Sequence, residues 1–318
     1  MGLAGLCGSF LVFALSGNFL ALFFARTIQG AFSGAVMPEA RAFIADVTTS
    51  KQRVGALGKL GAAQALGLML GPAIGGLFSA YGLAIPFFAA AIAAAINFSF
   101  VFALLPESVK EKTRYAVHAK LVFHSFLRIA RGLKDSMAPL FFLSFIWSFA
   151  ISNNQVSIPF IGTDKFHVDS VTIGIGFTAM GIVSSMTQFF FIAPLSRFFG
   201  HLKIASAGLL IMAMAFFLIP LVPPSAFFLY GILAVVGFGS ALARPVITAL
   251  ISEKTTQPAG LTMGITHSFE SLGKLLGPLL GGFLFMFGNT TPFFFSAGIV
   301  AFSVVFLAYV IKRKRSPK

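Results

Sequence analysis

Arg26, Glu270 and Lys274 stand out among the ionisable side chains that lie within long apolar segments of this 318-residue chain. A charge in such a segment is costly to bury and usually serves an ion, a proton or a charged substrate. Glu270 and Lys274 are four residues apart with the acid first, the favourable order for an ion pair on one helix face. Two interpretations of Glu270 stay open: a neutralising pair with Lys274, or a carboxylate that binds protons or cations in a central cavity.

Polar residues in the other apolar segments are candidates for the walls of the same cavity. An amide that faces lipid loses the hydrogen bonds it makes with water, so we expect such amides to face other polar groups. The candidates are Gln64, Asn153 and Asn154. A fixed positive charge at Arg26 lowers the pKa of a nearby acid or pairs with a substrate anion. A structural role for Arg26, bonding backbone carbonyls, is the alternative.

Metal, redox and enzymatic chemistry have little support in the sequence. Cys7 is the one cysteine, so neither a disulfide framework nor a cysteine-based metal site is available. The five histidines show no HExxH spacing, and no cluster of His, Ser or carboxylate residues stands out. We therefore expect no metal, no cofactor and no enzymatic activity.

Long apolar runs make up most of the chain. Hydrophobic residues are 57% and charged residues 10%, which leaves too little polar surface to coat a water-soluble globule. A helix needs about 20 apolar residues to cross the hydrocarbon core, and the runs lack the alternation of a membrane β-barrel. The predicted fold class is an all-α integral membrane protein, with spans at residues 2–16, 19–43, 54–79, 84–105, 137–161, 170–194, 203–221, 226–251, 258–286 and 291–311.

The basic residues are unevenly distributed between alternate loops. One set of loops holds nearly all the lysines and arginines, and the other holds only Lys165. Because basic loops stay on the cytoplasmic side, we predict a multi-pass protein of the plasma membrane with a cytoplasmic C-terminus. This topology accounts for much of the net charge of +14, so we expect the lipid bilayer and not nucleic acid as a partner.

An internal repeat divides the chain. The segment GLMLGPAIGG from Gly67 recurs as GKLLGPLLGG from Gly273, an offset of 206 residues, and Asp46 pairs with Glu253 at an offset of 207. Such a repeat indicates duplication. We predict a four-helix half at 1–106, a cytoplasmic linker at 107–136 and a six-helix half at 137–318. The repeat arithmetic predicts that roughly 70 residues, two helices and a loop, are missing before Met1. A family with ten helices is the alternative.

Two motifs carry a resemblance to a known family. The pattern LxxxRxxQG from Leu22 and the pattern GxxxGPxxGG from Gly67 resemble the fourth- and fifth-helix signatures of the major facilitator superfamily. The second pattern is typical of its drug:proton antiporter branch, which includes multidrug and tetracycline efflux proteins. The resemblance covers essentially the whole chain and implies two six-helix halves, of which about ten of twelve helices are expected here.

The resemblance implies roles for individual residues. It places Arg26 and Gln29 in the proton-coupling or cavity region, together with the polar candidates above. It implies a cytoplasmic gate at Asp46 and Arg197. The antiporter motif comprises Gly67, Gly71, Pro72, Gly75 and Gly76. Glycines at a spacing of four also permit close helix packing, and a proline removes one helix hydrogen bond.

The predicted function is therefore secondary active transport. By resemblance, the chain exports small hydrophobic drugs in exchange for protons by alternating access, as an antiporter of the multidrug-efflux and antibiotic-resistance type. The alternative is an inactive truncated fragment or a structural membrane subunit.

Overall fold

The computed structural model describes the backbone of residues 2–104, 137–255 and 259–315. Within these ranges some side chains, including those of Asp46 and Arg197, lie outside the description, as does the whole predicted linker at 107–136. The chain divides into two compact units, Met1–Tyr115 and Ala116–Lys318. The described residues form helices joined by short turns and contain no strand, which confirms the predicted all-α class.

Four helices form the described part of the first unit: α1 Gly2–Leu15, α2 Phe19–Val47, α3 Ser50–Ser79 and α4 Ile85–Leu104. Helix α1 packs against both α2 and α4, and the rings of Phe13 and Phe87 stack at 5.0 Å across the second contact. Asn18 begins α2 because its Oδ1 accepts a hydrogen bond from the amide of Ala21 at 2.8 Å.

Further helices form the described part of the second unit. They are α5 Ala138–Asp164, α6 Ser170–Met186, α7 Ile192–Phe199, α8 His201–Leu218, α9 Ala226–Lys254, α10 Ala259–Phe285 and α11 Thr291–Arg315. Helix α5 packs most extensively on α10, and α8 on α9. The core of this unit is a single apolar cluster that includes Phe141, Leu209, Phe216 and Phe293, each almost fully buried.

A π-helical segment, Thr187–Phe191, joins α6 to α7. The helical run that begins at Ser170 therefore continues past the predicted span at 170–194, as far as Phe199. Its α-helical geometry is interrupted by the π turn. Gly200, with a φ of 77°, ends this run and lets α8 begin at once. An extra residue in a helical turn rotates the side chains that follow it, and π segments often occur at functional sites.

Membrane-spanning character is present in both units. Among the described residues, four helical stretches are long and apolar enough to cross a bilayer: Ile85–Leu104, Ser170–Phe191, His201–Leu218 and Ala226–Glu253. The described helices agree with the predicted spans to within a few residues at most ends. The helices extend past the predicted spans mainly where polar residues occur, as at the end of α2, because hydropathy marks the apolar part of a helix and not its hydrogen-bonded ends.

Glycines bring two helix pairs of the second unit into backbone contact. A Cβ added at Gly273 or Gly277 of α10 would lie 2.6 Å from the carbonyl oxygen of Phe145 or 2.7 Å from that of Phe149, both on α5. Gly208 on α8 and Gly239 on α9 face each other in the same way. These small residues allow the close approach that stabilises helix pairs in lipid.

The equivalent stripe in the first unit behaves differently. A Cβ added at Gly67, Gly71 or Gly75 meets no described atom within 4 Å. The close contact predicted for these glycines is therefore seen at their repeat partners on α10 and not in the described part of the first unit. Pro72 lies inside α3, which continues to Ser79.

Lys165 has a structural role at the end of α5. Its Nζ donates hydrogen bonds to the carbonyl oxygens of Pro220 at 2.6 Å and Val222 at 2.7 Å, in the turn between α8 and α9. Burial lowers the pKa of Lys165. The neighbouring Asp164 accepts a hydrogen bond from Asn289, between α10 and α11. These bonds explain why a lysine occurs in a set of loops that otherwise lacks basic residues.

Candidate functional site

The functional candidate with the most developed surroundings is Glu270 on α10. Its side chain is 6% exposed, and its Oε2 lies 3.5 Å from Nη2 of Arg244 on α9 and 3.5 Å from Nδ1 of His267. Arg244 lies ten residues before the end of α9 at Lys254, and Glu270 lies eleven residues after the start of α10 at Ala259. At 1.5 Å per residue, each lies about 15 Å along its helix from the end where α9 and α10 are connected.

Arg244 is held by an aromatic ring as well as by the acid. Its Cζ lies 5.1 Å from the centre of the Trp147 ring on α5, a cation–π distance. Trp147 is oriented in turn by its Nε1, which donates to Oγ of Ser240 on α9 at 3.1 Å. The guanidinium, carried by α9, is therefore positioned by contacts from two other helices, α5 and α10. Its side chain is nonetheless 48% exposed, which leaves part of it open to a ligand.

The carboxylate of Glu270 is paired on one side only. Arg244 and His267 both approach Oε2, and neither contact is as short as the roughly 2.7–2.9 Å of a strong charge-assisted hydrogen bond. No hydrogen bond to Oε1 is found among the described residues. The turn that carries Glu270 is anchored separately, because Ser148 on α5 donates to the backbone oxygen of Glu270 at 2.7 Å. The backbone is fixed while the carboxylate can exchange partners.

A cavity of about 270 Å³ opens beside this carboxylate. Its walls come from α9, α10 and the π-helical segment, and they combine charged, amide and hydroxyl groups with two apolar residues. The lining residues are Gln188, Arg244, Pro245, Thr248, Met263, Thr266, His267 and Glu270. Gln188 belongs to the π segment, so the irregular turn contributes an amide to the cavity wall. A ligand in this space meets one acid, one fixed cation and one imidazole.

Lys274 is not the partner of Glu270. Its side chain is exposed, and the ion pairs of Glu270 in the described part of the chain are with Arg244 and His267. The predicted neutralising pair is therefore wrong. The spacing of four permits that pair, but a cation on a neighbouring helix competes for the same carboxylate and is closer to it.

The two asparagines of α5 lie within the helix packing. Asn153 is fully buried, and its Nδ2 donates to Oγ of Ser296 at 2.8 Å and to the carbonyl oxygen of Pro292 at 3.2 Å. Asn154 donates to the carbonyl oxygen of Ala150 at 2.8 Å, and its buried Oδ1 has no hydrogen-bond partner among the described residues. Neither residue lines the cavity beside Glu270. Asn153 instead joins α5 to α11.

The candidates of the first unit form a separate group. Arg26 donates from Nη1 to Oε1 of Gln29 at 2.7 Å, so the structure brings these two predicted residues together on α2. Gln64, another candidate of this unit, lies exposed on α3. Asp46 ends α2 and Arg197 lies in α7, but their side chains are outside the described part. The proposed gate at these two residues stays a prediction.

One ion pair lies close to the predicted gate region of the second unit. Nδ1 of His201 at the start of α8 lies 2.8 Å from Oε1 of Glu253 in the last turn of α9. Glu253 is the repeat partner of Asp46. Glu253 is therefore paired with His201 at the end of α9, away from the cavity that Glu270 lines.

The predicted site residues did not include the cavity residues Gln188, Arg244 and His267, or Trp147, which contacts Arg244. Two signals in the sequence pointed to them. Arg244 is a charge within an apolar run, and His267 precedes Glu270 by three residues, one helical turn. No sequence signal identifies Gln188, because its orientation depends on the π turn.

Metal chemistry has no support from the described residues, where no group of three or more His, Cys, Asp or Glu side chains converges. The chemistry that the cavity does support is a change of charge on a buried carboxylate. Glu270 is opposite a permanent cation when it is ionised, and it leaves that cation uncompensated when it is protonated. The site can therefore couple proton binding to the binding of another ligand.

Known proteins of similar sequence and fold are membrane transporters or drug-resistance proteins. Multidrug resistance protein 2 of Bacillus subtilis (strain 168) is 29% identical over 311 residues, covering 96% of this chain and 76% of the relative. Quinolone resistance protein NorA of Staphylococcus aureus is 28% identical over 295 residues, covering 92% and 74%. The human organic anion transporter MFSD10 superposes with a TM-score of 0.67 at 23% identity, covering 96% of this chain and 75% of that structure.

A second solved structure has the same fold at lower identity. A POT family transporter in complex with 5-aminolevulinic acid has a TM-score of 0.77 at 13% identity, covering 99% of this chain and 81% of that one. The family model of the Major Facilitator Superfamily matches residues 1–152 and 140–318, which together include every residue. With its helical architecture, internal repeat and intramembrane charges, this chain belongs to the Major Facilitator Superfamily.

Proposed function

We propose that this protein exports small hydrophobic drugs in exchange for protons, by alternating access, and that Glu270 is a proton-binding residue of the exchange. The single observation that carries the proposal is the buried Glu270 carboxylate, which contacts Arg244 and His267 at the edge of a polar cavity. The names of the bacterial relatives, multidrug resistance protein and quinolone resistance protein, support the substrate class.

The coupling follows from electrostatics. With Glu270 ionised, its charge compensates Arg244, and the cavity presents a carboxylate to a ligand. With Glu270 protonated, that carboxylate is neutral and Arg244 repels positive charge from the same space. A proton and a drug that uses this carboxylate therefore compete for one site. Competition of this kind is what an exchanger requires, because each species must leave before the other binds.

Other residues have supporting roles in this proposal. Arg26 and Gln29, which are hydrogen bonded on α2, would contribute polar groups from the first unit. Gln64 and Lys274 remain proposed members of the wider cavity region, whereas Asn153 and Asn154 belong to the helix packing. The antiporter motif from Gly67 to Gly76 would provide the close packing that the repeat partners show on α10. Asp46 and Arg197 would form the cytoplasmic gate.

The proposal includes an orientation. The chain would lie in the plasma membrane with its C-terminus in the cytoplasm, because the basic loops are those expected to stay inside. The units would correspond to residues 1–106 and 137–318, with the linker at 107–136. In this orientation the end where α9 and α10 are connected faces the cytoplasm.

Transport in liposomes tests the function. The purified chain is reconstituted with an imposed pH gradient, and movement of ethidium, a small hydrophobic dye, is measured with and without a protonophore. We expect gradient-driven movement that the protonophore abolishes, and a loss on the order of 10²-fold in Glu270→Gln. Glu253→Gln, at an exposed helix end, is the matched control and should retain the driven rate.

Two results would contradict the proposal. Wild-type protein that inserts correctly but moves no dye would favour the structural-subunit alternative. Driven transport that persists at the wild-type rate in Glu270→Gln would remove this carboxylate from the coupling mechanism.

A further inference from the structure

We propose that His267 is the proton relay between Glu270 and the aqueous space at the end of the helix bundle where α9 and α10 are connected. This inference rests on the proposed function, since it assigns the route by which the proton bound to Glu270 is released. The function itself requires only that Glu270 titrates, so the relay is a separate claim with its own test.

The first argument is the contrast in exposure. The Glu270 side chain is 6% exposed, whereas that of His267 is 60% exposed, and their facing atoms Oε2 and Nδ1 are 3.5 Å apart. A buried carboxyl group exchanges protons slowly unless a second group bridges it to water. His267 has one nitrogen at the carboxylate and most of its remaining surface open. The ring therefore gives the mostly buried acid a contact with a largely exposed group that can accept its proton.

The second argument is position along the helix. His267 is eight residues after the start of α10 at Ala259, and Glu270 is eleven residues after it. At 1.5 Å per residue, the imidazole is about 4.5 Å nearer to the connected end of α9 and α10. The spacing of three places both side chains on one face, which is also the face that lines the cavity. The relay thus points toward the end that the proposed function places in the cytoplasm.

Glu270, His267 and water are sufficient for the proton transfer. The carboxyl O–H of Glu270 breaks as Nδ1 of neutral His267 accepts its proton, which gives a carboxylate and an imidazolium. The Nε2–H bond then breaks as water accepts that proton, and the ring is left neutral with its hydrogen on Nδ1. Exchange with water returns the hydrogen to Nε2 for the next cycle. An imidazole suits both steps because each nitrogen can donate or accept near neutral pH.

The neighbouring positive charges favour release of the proton from the His267 ring over its retention there. Arg244 on α9 is permanently charged and lies 3.5 Å from the same Oε2, so an imidazolium beside Glu270 is close to a second cation. Lys274, one turn further along α10, adds positive charge beyond Glu270. The cavity residue contributed by the π segment, Gln188, and the α5 residue next to Arg244, Trp147, are neutral. Among these described neighbours, His267 is the group that contacts Glu270 and has a second ring nitrogen through which a proton can leave.

Two liposome assays of the full chain separate the relay from the function. The first measures ethidium movement driven by a pH gradient, with an internal pH-sensitive dye to follow proton release. The second measures exchange of labelled for unlabelled ethidium at equal pH on both sides, which needs binding and alternation but no net proton release. The variants are His267→Gln, which keeps a polar side chain, and His201→Gln, the matched control at the start of α8.

For His267→Gln we expect the driven rate and the proton-release rate to fall by about tenfold or more. The exchange rate, which reports any loss of ligand binding at the cavity wall, should fall by less than the driven rate, and His201→Gln should retain both rates. In His267→Glu, a second titratable group should restore part of the driven rate at a shifted pH optimum. Driven transport and proton release that are unchanged in His267→Gln would overturn the relay.

A parallel loss of exchange in His267→Gln would also overturn it, because His267 would then be needed for folding or binding. Failure of the proposed function looks different: wild-type protein would show no gradient-driven movement in the first assay. If the function holds but His267 is not the relay, the gradient-driven rate of Glu270→Gln will be far below that of wild type. The rate of His267→Gln will then equal that of wild type.

Discussion

The guanidinium of Arg244 lies over the indole ring of Trp147, with 5.1 Å between Cζ and the ring centre, while Nη2 reaches Glu270 at 3.5 Å. The ring therefore supports the cation during any step in which the acid is neutral. In the proposed exchange, a partly buried arginine without that support would lack a compensating group whenever Glu270 is protonated. The proposal therefore requires the aromatic contact to hold Arg244 in place.

Replacing Trp147 tests that support. We expect Trp147→Leu to lower gradient-driven ethidium transport about 3- to 30-fold, which corresponds to a cation–π contribution of about 0.5–2 kcal/mol. Trp147→Phe keeps a ring face and should retain more activity. Ser240→Ala removes only the 3.1 Å bond that orients the indole, so it should lower transport less than Trp147→Leu does. Equal rates in Trp147→Leu and wild type would show that the ring contact has no role in transport.

Helix packing at Gly277 gives a stability prediction. A Cβ there would lie 2.7 Å from the carbonyl oxygen of Phe149 and 2.9 Å from the amide nitrogen of Asn153, both backbone atoms that cannot move aside independently. We expect Gly277→Ala to destabilise the protein by about 1–3 kcal/mol, measured as a lower Tm in detergent. Gly282→Ala is the control on the same helix.

The control should behave in the opposite way. No atom lies within 4 Å of a Cβ added at Gly282, so alanine there should be neutral or raise the Tm through its better helix propensity, worth up to about 1 kcal/mol. If Gly277→Ala were as stable as Gly282→Ala, the close contact between α5 and α10 would not exist in the folded protein.

The hydrogen bond between Asn153 and Ser296 gives a second stability prediction. Nδ2 of Asn153 donates to Oγ of Ser296 at 2.8 Å, and both residues are fully buried. Asn153→Ala should cost about 1–3 kcal/mol, because it leaves the Pro292 carbonyl and the serine hydroxyl without this donor. We expect no effect on the pH dependence of transport, since neither residue lines the cavity.

A double-mutant cycle isolates the bond itself. The Tm changes of Asn153→Ala, Ser296→Ala and the double variant are compared, and a coupling of about 0.5 kcal/mol or more is expected for residues in direct contact. Additive changes would contradict the bond. A strong effect of Asn153→Ala on proton coupling at unchanged stability would return this amide to the cavity group.

The site divides into residues that the sequence identifies and residues that only packing reveals. Glu270 was identifiable because a carboxylate in an apolar helix is costly. Its partner was not identifiable, because both His267 and Lys274 are one helical turn from Glu270 and either can reach it. Which of them contacts the carboxylate depends on the side chains of the neighbouring helix. Arg244 lies opposite, on α9. No local pattern relates residues 244 and 270, which are on different helices.

The sequence by itself determined the all-α membrane class, the approximate helix limits and the repeat. These properties depend on local quantities: apolar length, charge between the spans and recurrence of GxxxGPxxGG at an offset of 206 residues. Tertiary structure alone decided that Gly273 and Gly277 contact the α5 backbone, that Asn153 joins α5 to α11, and that Arg244 and His267 share one oxygen of Glu270. The physical reason is that hydropathy and helical periodicity act along one segment, whereas partner choice depends on distances between helices that are remote in sequence.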